Sequence, residues 1–252
     1  MQPIDFKDLG CKECARGCDL GFDFSMALQP IIDVESRTIF AQEALARGLN
    51  GESAAEVFKH VNETNLYRFD QSCRVKAIRL AAELNVDSYL SINFLPNAIY
   101  RPELCIRTTL AAAETYAFDK TKIIFEFTEN ERIVDQKHLI NIISHYEKVG
   151  FQTAIDDFGS GYNGLAQLAD LKTQITKIDM ELIRNIDKDP AREIIVRNMV
   201  KMLTELGQRV IAEGIETDAE YRTLRDMGIT LYQGFYFAKP AFESLADVHW
   251  PD

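Results

Sequence analysis

No apolar run in this chain approaches the length that spans a bilayer, and no secretory signal opens it. The expectation is therefore a cytoplasmic protein with no membrane contact. Basic residues are in deficit: 28 Lys and Arg stand against 39 Asp and Glu, a formal charge of −11. That balance disfavours non-specific binding to DNA or to an anionic membrane. It leaves an anionic substrate open, because bound divalent cations invert a local field. Cysteine is scarce and odd in number, at five, which without a signal peptide argues for reduced thiols and against a disulfide framework. The four histidines, His60, His138, His145 and His249, are scattered, and each reads as structural or exposed. There is no internal repeat, low-complexity segment or interdomain linker. No dinucleotide-type glycine fingerprint opens the first βα unit, which weakens an open doubly wound sheet as the architecture.

What the chain does hold is a core and a rhythm. At 252 residues and 46% hydrophobic it suits one large domain. Residues 1–22, irregular and rich in Cys and Gly, read as an N-terminal arm, and residues 23–252 as the domain proper. Strands are expected at 24–30, 37–43, 88–93, 122–127, 151–155, 174–178, 208–212 and 229–234. Helical patterns lie at 54–60, 65–85, 103–116, 135–149, 191–206 and 217–227, with short helices after Gly161 and Asp179. Only Asp33-Val34-Glu35-Ser36 separates the first two strands, so these should pair antiparallel. The later alternation of strand and helix implies a parallel sheet. The expected fold is thus α/β: a modified (β/α)₈ TIM-type barrel whose first strand runs antiparallel to the rest.

Carboxylates and amides recur where these strands end: Glu43, Asn93, Glu126, Asp156 with Asp157, and Glu213. In a barrel such positions converge. One acid at a strand end is usually solvated or caps a helix; the convergence of this many changes the reading. Glu43, Asn93, Glu126 and Asp156 make an oxygen set that suits Mg²⁺ or Mn²⁺. The adjacent acids Asp156 and Asp157, with Glu213, could hold a second ion. Two ions about 3.5–4 Å apart are a recurrent device for in-line attack on phosphorus. Lys177, at the end of an apolar strand, is costly to bury without a partner and could fix a water or phosphate oxygen. Arg47 could grip phosphate through both arms of its guanidinium. One ring among Phe235, Tyr236 and Phe237 could stack on a base, although strand alternation sends at least one into the core. Trp250 should cover an apolar patch. Cys11, Cys14 and Cys18 read as part of an arm packed on the barrel, with Zn²⁺ binding or redox sensing as the second reading; a fourth zinc ligand is not evident.

Glu43-Ala44-Leu45 with Arg47 resembles the signature of the EAL family of cyclic di-GMP phosphodiesterases. The resemblance continues through Gln29-Pro30-Ile31, Asn93 with Pro96, Glu126-Phe127-Thr128-Glu129, Asp156-Asp157-Phe158-Gly159-Ser160-Gly161-Tyr162, Lys177-Ile178-Asp179, Glu213-Gly214-Ile215-Glu216 and Gln233-Gly234-Phe235. It implies hydrolysis of one phosphodiester of cyclic di-GMP to linear pGpG, with Mg²⁺ or Mn²⁺ required; Ca²⁺ is expected to inhibit, because its looser coordination activates water poorly. By the same resemblance Glu43, Asn93, Glu126, Asp156, Asp157 and Glu213 are metal positions, Lys177 places the water, and Gln233 joins the metal–water network. Gln29, Leu45, Arg47, Glu216 and Pro240 line the nucleotide, and Glu129 anchors the loop after Asp157. Homodimerisation is a further implication. The chain departs from the pattern at Gly48, where an aromatic residue is common, at Leu95, where serine is common, and at Asn163 and Gly164, where hydroxyl residues are common. A stand-alone phosphodiesterase with neither sensory nor cyclase domain would take its input from a regulatory partner, from oligomerisation, from the arm, or from a longer protein. The competing reading is a receptor that binds cyclic di-GMP without cutting it and signals to a protein partner.

Overall fold

The computed structural model describes residues 20–99, 101–128, 135–161 and 164–251. Strands β1 (Ser25–Asp33) and β2 (Thr38–Arg47) form the expected hairpin, pairing Gln29 with Glu43. Its turn is held by Asp33, whose Oδ1 accepts from Glu35 N at 3.0 Å and Ser36 N at 3.3 Å. From β2 the sheet continues in parallel through β3 (Tyr89–Asn93), β4 (Ile123–Thr128), β5 (Gln152–Phe158), β6 (Ile175–Ile178), β7 (Arg209–Ala212) and β8 (Leu231–Tyr232). β8 pairs antiparallel with β1, which closes an eight-stranded barrel with its first strand reversed, as expected. A ninth strand, β9 (Ala241–Phe242), adds to the same edge of β1 beyond β8.

Helices cover the outside. They are α1 (Ala54–Phe58), α2 (Leu66–Glu83), α3 (Pro102–Cys105), α4 (Arg107–Thr115), α5 (Gln136–Val149), α6 (Gly164–Asp170), α7 (Met180–Ile183), α8 (Pro190–Glu205) and α9 (Asp218–Arg225). Their ends follow local chemistry. Asp189 caps α8 by accepting from Ala191 N and Arg192 N, with Pro190 in the first turn, where its missing N–H costs nothing. Thr217 and Glu220 form a reciprocal capping box on α9, and Gly150, at φ 102°, ends α5. In α2 the four-residue spacing of Phe69, Cys73, Ala77 and Ala81 lays an apolar stripe on the barrel. No helix among the described residues is long and apolar enough to cross a membrane.

Inside the barrel the side chains form layers. Ile31, Ala41, Ile124, Ala154, Ile175, Ile211 and Leu231 make an apolar layer, with Phe40 and Tyr89 packed against it. The Arg209 guanidinium lies over both rings, at 4.9 Å from Phe40 and 5.7 Å from Tyr89. Strand side chains alternate, so the next inward-facing residue is two positions on. From Ala41, Tyr89, Ile124, Ala154, Ile175, Ile211 and Leu231 that step reaches Glu43, Ser91, Glu126, Asp156, Lys177, Glu213 and Gln233. In the reversed β1 the step runs backwards, from Ile31 to Gln29. The polar centre is the layer directly above the apolar one.

Two expectations about strand ends are corrected. Glu43 does not end β2, which runs on to Arg47, and Asp156 and Asp157 lie within β5, which runs to Phe158. An acid usually stops a strand because it needs water; here the barrel interior supplies Lys177 and side-chain amides instead. The last strand is shorter than expected because the backbone turns after Tyr232, with Gln233 N donating to Ala212 O and Gln233 O accepting from Ile215 N. Gly234 permits this turn: a Cβ there would sit 2.2 Å from the Ile215 carbonyl oxygen.

Candidate metal centre

Lys177 is 1% exposed, and its ammonium is the hub. Nζ lies 2.5 Å from Glu213 Oε1, 2.8 Å from Glu126 Oε2, 2.9 Å from Asp156 Oδ1 and 3.2 Å from Glu43 Oε2. These acids come from four other strands or their ends, so the cluster exists only once the barrel closes. Glu43 is oriented further by Gln233 Nε2, donating at 2.8 Å, and by Asn93 Nδ2, donating at 2.9 Å. Gln233 also reaches Gln29 Oε1 at 3.4 Å, and Gln29 donates to Ala238 O at 3.1 Å.

Two residues that sequence reasoning missed support the acids. Ser91 Oγ donates to Glu126 Oε1, and Thr128 Oγ1 donates to Asp157 Oδ2 at 3.0 Å. Ser91 stands two residues before Asn93, and Thr128 two after Glu126. The period of two was the available signal. Asp157 itself has φ 54°, a left-handed conformation that a non-glycine residue holds only where its surroundings enforce it. Gly214, beside Glu213, has φ 66°, and a Cβ there would lie 2.3 Å from the Met180 Cβ.

Glu43, Glu126 and Asp156 each offer an oxygen within 4.8 Å of the others, and so do Asp156, Asp157 and Glu213. Asp156 belongs to both groups. Its Oδ1 is buried and, although near Lys177, lacks a well-aligned hydrogen-bond donor. One ammonium against these carboxylates leaves a surplus of negative charge. An all-oxygen donor set with surplus charge, built around an acid common to both groups, fits hard divalent cations.

Without cations the surplus is relieved by protons. Burial, outweighing the attraction of Lys177, pushes the Glu126 carboxyl up to about 8, with Glu43 and Asp156 adding to the rise. Burial and the neighbouring acids also raise Asp156 and Asp157, and raise Glu213 well above the usual range. For Glu43 burial acts upward too, but Lys177, Gln233 and Asn93 together bring it below its ordinary value. Burial pulls Lys177 down, yet the surrounding acids win and hold it well above the lysine range.

The consequence for stability has a definite sign. A carboxyl raised on folding costs nothing below its unfolded value, costs more as pH climbs from there to its folded value, and adds no further cost above it. Lys177 contributes fully below its unfolded value, and depressed Glu43 loses its contribution only in acid, so neither varies between about pH 5 and 8.5. Metal-free protein should therefore lose thermal stability as pH rises across that window. With Mn²⁺ the trend should reverse, because ionised ligands bind the ion better. Thermal scans in chelator and in Mn²⁺ check this; parallel trends would contradict a metal centre.

A cavity of about 310 Å³ opens onto this layer, bordered by Gln29, Met180, Glu216 and Phe235 beside the acids. Phe235 is 54% exposed at its rim, whereas Phe237 is buried. Leu45 and Asn93 border a separate, mostly apolar cavity of about 120 Å³. Arg47 is half-buried, its Nη1 donating to Ala46 O at 2.8 Å, and neither it nor Pro240 borders the acidic cavity. At Gly48 the place of a side chain is taken by Glu52. Trp250 packs against the core, with the Arg37 guanidinium 5.9 Å above its ring. Glu129, Cys11, Cys14 and Cys18, and with them the loop-anchor and zinc expectations, lie outside the described residues.

A closed α/β barrel with one reversed strand and an acidic oxygen centre at the C-terminal ends of the others defines a narrow class. The EAL domain family matches residues 16–240, and the chain belongs to that family. It is 57% identical to a standalone versatile EAL protein from Vibrio cholerae O395 in a c-di-GMP bound form, with a TM-score of 0.89 over 92% of this chain and 98% of that one. BlrP1 of Klebsiella pneumoniae, in a manganese and cyclic di-GMP complex, is 31% identical with a TM-score of 0.86, over 91% and 59% of the two chains. Among curated relatives, the blue light- and temperature-regulated antirepressor BluF of Escherichia coli is 30% identical over 249 residues, which are 98% of this chain and 61% of BluF. The cyclic di-GMP phosphodiesterase PA2567 of Pseudomonas aeruginosa is 29% identical over 89% of this chain and 40% of its own length. The chain thus spans about two fifths to three fifths of these two relatives.

Proposed function

We propose that this protein hydrolyses one phosphodiester of cyclic di-GMP to linear pGpG in a reaction requiring Mg²⁺ or Mn²⁺. The observation that carries the reading is Asp156, shared by two acidic groups around a buried lysine, in a chain similar to an EAL protein bound to c-di-GMP. Glu43, Asn93, Glu126 and Asp156 would hold one ion, and Asp156, Asp157 and Glu213 a second. When bound, the ions would offset charge on the phosphoryl oxygens and acidify the attacking water. Lys177 holds four carboxylates in register, and its ammonium can donate to a water or phosphate oxygen at that layer. Asn93 and Gln233 fix the direction of the Glu43 oxygens, which pre-organises the centre before substrate arrives. Gln29, Glu216 and Phe235 offer amide, carboxylate and ring surfaces to the nucleotide.

The test is incubation with cyclic di-GMP and Mg²⁺ or Mn²⁺, a chelated control, and anion-exchange analysis of the products. Metal-dependent linear pGpG is the expected result. Ca²⁺ should support nucleotide binding but suppress turnover, because its looser coordination activates water poorly. Full turnover in Ca²⁺ would count against the proposed role of the ions. One observation favours a second reading: BluF, similar over nearly the whole of this chain, is named an antirepressor. Nucleotide binding with no product in either metal would establish the receptor instead.

A further inference from the structure

Outside the metal centre, one cluster of buried charge has no part in the mechanism. Asp70 and Arg74, one turn apart on α2, are 3% and 0% exposed and face the barrel. Arg74 Nη2 lies 2.7 Å from Asp70 Oδ2. The guanidinium also donates through Nη1 to the Tyr146 hydroxyl on α5 at 3.1 Å, and lies 5.0 Å from the Phe125 ring and 5.8 Å from the Phe94 ring. Asp70 Oδ1 accepts from Leu95 N at 3.1 Å. A buried ion pair contributes little net stability compared with apolar residues of the same volume. Its contacts point elsewhere. Phe94 and Leu95 follow Asn93 directly, and Phe125 precedes Glu126. Phe94 N donates to Glu126 O at 2.9 Å, so these residues tie together the ends of β3 and β4.

We propose that Asp70, locked in place by Arg74, is a positioning residue for the metal centre. By accepting the Leu95 amide it fixes the backbone where β3 leaves the sheet, and so sets where Asn93 presents its amide to Glu43 and to an ion. β3 is five residues long, and Asn93 is its last. Register with β4 fixes one side of that residue, and the Asp70–Leu95 hydrogen bond fixes the chain just beyond it. Without that bond the Leu95 amide would lose its partner, and the segment would rest on the ladder, on the packing of the Phe94 ring and on the turn bonds from Ala98 N to Leu95 O and Ile99 N to Pro96 O. Asp70 and Asn93 also border the same 120 Å³ apolar cavity, so free space is at hand for Asn93 to relax into. The inference rests on the metal reading above, since it assigns Asp70 a role toward that site.

The experiment compares Mn²⁺ binding by calorimetry, without nucleotide, in three forms of the 252-residue chain. The wild type is the reference. The triple variant Asp70→Leu, Arg74→Met, Tyr146→Phe removes the whole polar network at similar volume. The pair Asp70→Asn, Arg74→Gln removes the charges but leaves an oxygen for the Leu95 amide. Expected is Mn²⁺ affinity weakened about 10- to 100-fold in the triple variant, the usual effect of losing a supporting partner of a metal ligand, and near-native affinity in the pair. A merely structural role would move the thermal midpoint and leave the affinity of folded protein unchanged; that result overturns the proposal. Equal weakening in both variants overturns it as well, because the charge rather than the hydrogen bond would then matter. Wild type that takes up no Mn²⁺ removes the metal reading and this role with it, whereas wild type and triple variant binding alike remove this role alone. Should the triple variant not fold, hydrogen exchange of the wild-type Leu95 amide decides: protection matching β3 supports the anchor, and exchange at the rate of an open loop refutes it.

Discussion

Asp156→Asn is expected to lower turnover of cyclic di-GMP on the order of a thousandfold, the scale seen when one preorganised charge-stabilising group is lost, while making the metal-free protein more stable. Both effects come from one position. Asp156 is the acid common to the two oxygen groups, so its charge is lost to both halves of the centre at once. Burial and the charges of Glu43 and Asp157 already push its carboxyl up, so the ionised form is costly in the absence of cations. The amide keeps the size and removes that cost. Metal titration by calorimetry and thermal scans in chelator read the two effects separately. A variant that bound metal as the wild type does would end the shared-ligand assignment, whatever its activity.

Lys177→Met is expected to destabilise the metal-free protein instead, and the more so the higher the pH. The methionine fills most of the space but leaves Glu43, Glu126, Asp156 and Glu213 without the ammonium between them. Removing one partner of a buried ion pair typically costs about 3–5 kcal/mol. In chelator near pH 8 the variant should therefore melt well below the wild type, and the gap should narrow toward pH 5 as the acids take up protons. Mn²⁺ should recover part of the loss at high pH. Turnover should fall steeply while nucleotide binding persists, since the cavity rim of Gln29, Glu216 and Phe235 is untouched. A loss of stability independent of pH would mean that lysine packing matters and its charge does not. Loss of nucleotide binding would make Lys177 chiefly a substrate contact.

How much of this was legible beforehand depends on what each residue needs. The strand–helix rhythm and the reversed first strand followed from apolar periodicity and from the short turn at Asp33. Asp156-Asp157, Glu126 and Glu213 announced themselves because an acid directly after an apolar strand is conspicuous. The strand ends were misread for the same reason: Glu43 and Asp156 looked like terminators, since a strand cannot announce that a lysine from another strand waits inside. Gln29, Glu216 and Gln233 carried no signal of their own and came only through resemblance. Ser91, Thr128 and Asp70 were missed because a hydroxyl or a helical acid takes its meaning from a partner 35, 29 or 25 residues away. Only register, which a closed barrel sets globally, brings them together.

The reversal of β1 has a consequence for control. Ser25 pairs with Arg47 and Asp33 with Thr38, so the chain runs down β1 from the acidic end of the barrel to the opposite one. In a barrel of uniformly parallel strands the first strand would begin at the face away from the chemistry. Here the chain enters β1 at the barrel end that carries the acids, beside Arg47, with Phe22 packed against His60 and against Phe69 of α2. A segment joined ahead of β1 would therefore meet the barrel at the end that carries the acids and not at the opposite one.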